Sequence, residues 1–353
     1  MKLITALVSG LLALAGCTSL GPRTVARDRF DYVESISDSW KRQMLLNLLK
    51  VRYADAPVFL DVTSVISSYE FKGELGVFGQ EAPAGRAGDS FSGAAVNGTY
   101  TDRPTITYAP LSSDKFAKSL MSPFPISGVV LLLQAGFPAD VVLRVCANTI
   151  NGLSNSYGGR GERNGDPNYH ELLTLIRAAQ NAGELAVYSQ RDGDHQEVKL
   201  TIRSRVDVAS QMRNRRIAEL LELKGDVHEV NVVYGERPAL GDEIAIQSRS
   251  MMQVLVDFGS YIEVPARDIT EGRVYAPPRD EQADRLFPAL LHVHSSDSPP
   301  KDAHVAVQYR DGWFYIDDRD HESKAAFNFL MLLFSLTETG SSQAAPIVTV
   351  PTR

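Results

Sequence analysis

His304-Val305-Ala306-Val307-Gln308-Tyr309-Arg310-Asp311-Gly312-Trp313-Phe314-Tyr315-Ile316-Asp317 sets two β-branched and aromatic runs on either side of Asp311-Gly312. Asp-Gly between alternating runs is a strong hairpin signal, because these residues tolerate the positive φ that a tight turn requires. The spacing predicts strands over 304–309 and 313–317, then a helix over 321–337 running to Gly340. The same order appears twice upstream. Strands 185–189 and 197–202 flank Arg191-Asp192-Gly193-Asp194 and lead into a helix at 206–223. Strands 227–234 and 243–247 lead into a helix at 249–258, before Gly259. Three successive hairpin–helix units predict an antiparallel sheet with helices on one face, an α+β domain over 166–340.

Working outward, Asp166 is a good N-cap with Pro167 at the first helical position, and Leu172, Leu173 and Ile176 give that helix its apolar face. The glycine-rich loop 154–165 precedes it. Residues 266–286 read as a long charged loop and 341–353 as an extended tail. Upstream, 29–165 reads as a second α+β region. Trp40, Met44, Leu48 and Val51 recur at helical spacing within 37–54, and Pro57 ends that helix. Further helices are expected at 113–121 and 126–151.

Between them lies an extended hairpin, 62–108, with a Gly/Ala/Pro-rich tip at 79–89. Its first limb alternates: Tyr69, Phe71, Leu75 and Val77 point one way, Glu70, Lys72 and Glu74 the other. Each limb is long enough for a transmembrane strand. The segment resembles the hairpins that ring-forming lipoproteins donate to a shared barrel. The second limb alternates poorly, with Phe91 facing alongside Gly93 and Asn97, and Ala94 and Val96 alongside Ser90. A surface hairpin or an oligomer-contact arm is therefore the expectation.

The N-terminus carries an address. Lys2 precedes the apolar stretch Leu3–Ala15, which is too short to remain as a membrane span, and small residues lead to Cys17. Leu14-Ala15-Gly16-Cys17 resembles the lipobox of bacterial lipoproteins. The resemblance implies cleavage between Gly16 and Cys17, removal of residues 1–16, and acylation of Cys17 by diacylglycerol and a further chain such as palmitate. Several acyl chains give stable anchoring where one does not. Thr18 in place of Asp favours, by resemblance to Gram-negative lipoproteins, the outer membrane and a periplasm-facing domain. Residues 17–28 are expected as a polar lipidated tether broken by Gly21-Pro22. Asp102–Tyr108, Tyr261–Pro265 and Trp313–Asp318 are similar to stretches of uncharacterised proteobacterial lipoproteins, which implies a shared fold and no activity.

Cleavage removes only Lys2 among the charged residues, leaving 35 basic against 43 acidic side chains, a net −8. A mildly acidic chain offers no positive field for nucleic acid. At 44% hydrophobic residues it can bury substantial cores. Of two cysteines, lipidation leaves Cys146 alone in the apolar run 141–147, so no intrachain disulfide forms and a small buried thiol is expected.

Candidate chemistry is sparse. His292 and His294 alternate on a predicted strand and His304 lies on the next, but no recognised ligand spacing supplies a metal site. Asp317, Asp318 and Asp320, with Glu322, form the densest acidic cluster, where capping of the following helix accounts for them. Ser112-x-x-Lys115 and Ser298-x-x-Lys301 match half of a penicillin-interacting pattern whose Lys-Thr-Gly companion is absent. No cofactor motif is present. The sequence reading is a membrane-anchored, non-catalytic binding or assembly component of the cell envelope. It contacts lipid through acylated Cys17 and a protein partner or its own copies through hairpin 62–108. The alternatives are an envelope hydrolase built from distant residues such as Asp317, Asp318 and His292, and an oligomeric outer-membrane pore using the hairpin.

Overall fold

The computed structural model describes residues 21–66, 69–80, 91–102, 105–111, 114–158, 164–192, 195–203, 207–224, 229–238, 243–276, 285 and 288–337. The signal segment 1–16, Cys17, the centre of loop 154–165, the tip 81–90, much of loop 266–286 and the tail 341–353 lie outside these residues. The chain is α+β, and it divides into two compact units, residues 1–40 with 59–111, and 41–58 with 112–353.

One helix, α1 (Gly21–Arg52), contributes to both units. It starts well before the apolar spacing at Trp40, so the expected tether is helical from Gly21 onward. Gly21-Pro22 opens the helix where a break was expected, because proline is tolerated in a first turn whose N–H groups have no partner. Phe30 and Val33 are exposed, whereas Met44, Leu45, Leu48 and Leu49 are buried in the second unit. The 32 residues make a rod of about 48 Å.

The rest of the first unit is a two-stranded ribbon. Strand β1 (Leu60–Ile66) pairs antiparallel with β4 (Thr105–Pro110), and β2 (Tyr69–Gln80) with β3 (Phe91–Asp102). The two ladders share one register, with Ile66 opposite Thr105 and Tyr69 opposite Asp102. Among the described pairs of these two ladders the one irregularity is a bulge between Val62 and Ser64.

The second unit carries two sheets. After α2 (Asp114–Met121), α3 (Ile126–Gln134) and α4 (Ala139–Cys146) come the short strands β5 (Ala147–Ile150) and β6 (Leu153–Ser154). The expected helix over 126–151 therefore ends five residues early. Asn151-Gly152, with φ of 48° and 83°, is a two-residue hairpin turn between Ile150 and its partner Leu153. Next come α5 (Pro167–Asn181), β7 (Leu185–Asp192), β8 (His195–Ile202), α6 (Val208–Leu220), β9 (Val230–Tyr234) and β10 (Glu243–Ser248). These strands form a six-stranded sheet in the order β6-β5-β10-β9-β8-β7.

Leu185, Val187, Leu200, Ile202, Val232, Ile244 and Ile246 share one sheet face, against α3, α5 and α6. That face is the core. The fold departs from the sequence expectation in one pairing, since β9 and β10 run parallel, with Glu243 beside Asn231. The link between them, residues 235–242, is longer than the two-residue turn of a tight hairpin. On its other side β10 pairs antiparallel with β5, drawn from before the expected domain.

The third hairpin does not join this sheet. With α7 (Met251–Ser260) and α8 (Ala266–Thr270) intervening, β11 (His294–Ser296), β12 (Ala303–Tyr309) and β13 (Gly312–Asp317) form a separate antiparallel sheet in the order β11-β13-β12. Its turn sits one residue earlier than Asp311-Gly312. Tyr309 pairs with Gly312, and Arg310 takes the positive φ, 53°. Helix α9 (His321–Thr337) follows at the expected bounds and buries Phe327, Leu330, Leu333 and Phe334.

Candidate functional site

The acidic cluster at the β13–α9 junction resolves into separate, locally satisfied groups. Asp320 caps α9: its Oδ1 accepts the Ser323 N–H at 3.0 Å and its Oδ2 accepts the Ser323 hydroxyl at 2.7 Å. The Ser323 N–H, with smaller contributions from Ser323 Oγ and His292, holds the Asp320 carboxyl below its ordinary value against the opposing effect of desolvation. Asp317 accepts the Arg319 N–H at 2.8 Å and its guanidinium at 3.1 Å, which holds its carboxyl low. Asp318 is held low by Lys324, whose Nζ donates to it at 2.9 Å, and His304 Nδ1 stands 3.9 Å away. All three carboxyls are stabilised as anions, the opposite of what a proton donor at neutral pH requires.

His292 and His294 take different partners. His294 begins β11, stacks on Tyr315 at 5.5 Å and stands 3.2 Å from Glu263. His292 precedes the strand and lies 3.4 Å from Asp320 and 3.3 Å from Ser323 Oγ. A Ser–His–Asp set is thus present in composition, but its geometry is that of a cap. Ser323 is fully buried, its hydroxyl proton points to Asp320, and the same hydroxyl accepts the His292 backbone N–H at 2.9 Å. A nucleophile needs its proton on the base and its oxygen open to substrate. Among the described residues no group of three or more His, Cys, Asp or Glu is placed to hold a metal ion. Ser298 of the second S-x-x-K stretch is in the β11–β12 loop, and Ser112 lies outside the described residues. Cys146 is buried, and burial pushes its thiol up to about 12, which makes it unreactive near neutrality.

Sequence reading missed the best-built polar network, centred on Arg249. This side chain is 1% exposed. Its Nη1 donates to Asp257 at 2.9 Å, its Nε to Asn148 at 3.2 Å, and its Nη2 to the Ser156 carbonyl. Asp257 also accepts the Gly158 N–H at 2.7 Å. A side chain at Gly158 would place its Cβ 2.0 Å from Ser260 Oγ, so this close approach requires glycine. Every nitrogen of Arg249 finds an acceptor, and the network ties loop 155–158 to α7. Asp257 lies only eight positions from Arg249, but Asn148 and Ser156 lie about a hundred positions away, so the local sequence does not announce the network.

Two of the concavities in the second unit are lined by described residues. One, about 460 Å³ and open, is bordered by Ser127, Asn231, Tyr234 and Glu243, with no histidine, cysteine or lysine. The other, about 30 Å³, is wholly apolar and lies between α3 and the sheet core. Neither joins the β13–α9 cluster.

The remaining feature is the ribbon. Each of β2 and β3 has twelve residues, and among the described strands each pairs only with the other. The register sets Leu75 opposite Val96, Val77 opposite Ala94 and Phe71 opposite Tyr100 on one face. Lys72 stands opposite Thr99 and Glu74 opposite Asn97 on the other face, where all four are exposed. Phe78 and Phe91 fall at positions of that second face, so the poor alternation read from the second limb persists in the paired ribbon.

No family model matches the chain, and no curated protein or solved structure matches it either. No described helix is long and apolar enough to cross a membrane.

Proposed function

We propose that this chain is an outer-membrane lipoprotein, anchored through acylated Cys17, that acts as a non-catalytic assembly component of the bacterial envelope. Its assembly element is the ribbon β1–β4. One observation carries the reading: β1 pairs with β4 and β2 with β3 in two antiparallel ladders, and no third described strand joins either. An isolated two-stranded ribbon is marginally stable in water, and exposed edges are where another chain adds as a strand. The second unit supports the reading from the other side. Its candidate polar residues at 292–320 are committed to caps and ion pairs.

The test is the mass of the lipidated protein extracted in mild detergent, with and without residues 72–103. The intact chain forms a multi-copy particle, and the deleted chain is a folded monomer. Equal particle masses for the two would overturn the assignment of assembly to the ribbon. Replacing Cys17→Ser removes palmitate labelling and releases the protein from membranes. Membrane retention by that variant would contradict the lipid anchor.

A further inference from the structure

We propose that the second unit holds a binding site for a neutral amphiphile, its polar head in the groove beside Tyr234 and its alkyl tail reaching past Ile126 into the apolar space beneath α3. The site is independent of the ribbon. It begins where β8 and β9 part. Their pairing stops at Val198 opposite Val232, although β8 begins at His195 and β9 runs on to Tyr234. The open groove is bordered there by Val198 from one strand and by Val232, Val233 and Tyr234 from the other. Its volume of about 460 Å³ falls within the roughly 300–1,000 Å³ common to small-ligand sites.

Two residues join this groove to the smaller concavity, since Ile126 of α3 and Val232 of β9 line both. Beyond them, about 30 Å³ is enclosed among apolar side chains of α3 and the sheet, Val130 and Leu133 against Leu200 and Ile244 among them. Such a space stays dry, because a water molecule there would find no hydrogen-bond partner. An alkyl group that enters it leaves water and gains packing contacts. The tail thus ends in the apolar space and runs along Ile126 and Val198 in the groove. The groove in turn selects the head. Ser127, Asn231 and Tyr234 are exposed along it and offer hydroxyl and amide groups to a hydroxyl-bearing head. Glu243 is the one charged side chain among the described lining residues. A carboxylate or phosphate head would face that acid with no cation among them to offset the repulsion. An uncharged polyol head meets no such opposition.

The experiment uses the whole mature chain with Cys17→Ser, so that no attached lipid competes. It is titrated calorimetrically with eight-carbon probes kept below the concentrations at which they form micelles. Monooctanoylglycerol should bind one to one, and octanoate about tenfold more weakly because of its charge beside Glu243. Glycerol alone should not bind. Ile126→Trp sets an indole across the junction and should weaken monooctanoylglycerol about tenfold with the urea midpoint unchanged. Ser127→Trp, at an exposed position on the same border, should do likewise and decides the matter if Ile126→Trp does not fold. Failure of monooctanoylglycerol to bind, or equal binding by octanoate, would overturn the proposal. Parental affinity in the folded variants would place the binding elsewhere and overturn it as well.

Discussion

The six-stranded sheet and the β2–β3 ribbon are both antiparallel at heart, yet they stand in opposite relation to their surroundings. The sheet buries one face under α3, α5 and α6, and its polar groups are closed off locally. Glu184, 2% exposed, accepts both Nε and Nη2 of Arg213 at 3.0 and 2.8 Å. Asn151 accepts the Ala245 N–H and donates to the Leu221 carbonyl, each at 2.7 Å. The ribbon has longer strands and a partial alternation, and no third described strand pairs with it. The contrast teaches that alternation alone does not tell a finished sheet from an unfinished one. The difference lies in what the edges meet.

That comparison can be broken most severely at Asp257. Asp257→Ala leaves Arg249 as an uncompensated buried cation and should cost about 3–5 kcal/mol, read by urea unfolding of the soluble form starting at Thr18. Particle mass at low temperature should not change. A loss below about 1 kcal/mol would mean that the network is not closed as described. Asn151→Ala abandons a left-handed turn position and leaves the Ala245 N–H and Leu221 carbonyl unpaired. The expected loss is about 1–3 kcal/mol for each group left unsatisfied. Hydrogen exchange should speed up at Ala245 and less so in α9.

Asp320→Ala removes an N-cap, worth about 0.5–2 kcal/mol, and it also sharpens the comparison by pH. The folded-state value of Asp320 is depressed, so its contribution is present above the ordinary carboxylate range and is lost as pH falls through the depressed value. The variant should therefore show a shallower loss of stability on acidification than the parent chain. An unchanged acid slope would count against the cap. The smallest effect belongs to the ribbon. Deleting 72–103 should leave the urea midpoint of the second unit unchanged while abolishing the particle, which separates assembly from stability.

Much of the second unit was legible in the sequence. The bounds of α9, the β7–β8 and β12–β13 hairpins, the Asp166–Pro167 start of α5 and the burial of Cys146 all follow from caps, turns and periodicity. Asn151-Gly152 was equally visible as a turn signal. The apolar run before it carried the helix reading past Cys146 into β5. The first turns of α1 were missed because Gly21-Pro22 reads as a break in a polar tether, although Phe30, Val33, Ile36 and Trp40 recur at helical spacing. The parallel β9–β10 pairing was not legible, since strand direction across a link without a tight turn is decided by the neighbouring strand. The polar residues at 292–320 were read correctly as a cluster in sequence. Their side chains nonetheless divide among four sets of partners, a division that only backbone geometry decides.

Amide hydrogen exchange along β2 and β3 tests the central claim most directly, comparing the lipidated particle with the soluble form starting at Thr18. Edge pairing between copies should protect the outward-facing amides of both strands in the particle alone. Amides of β8 and β10 should exchange alike in the two forms. Equally rapid exchange of the ribbon amides in particle and soluble form would contradict the account, because its edges would then have found no partner.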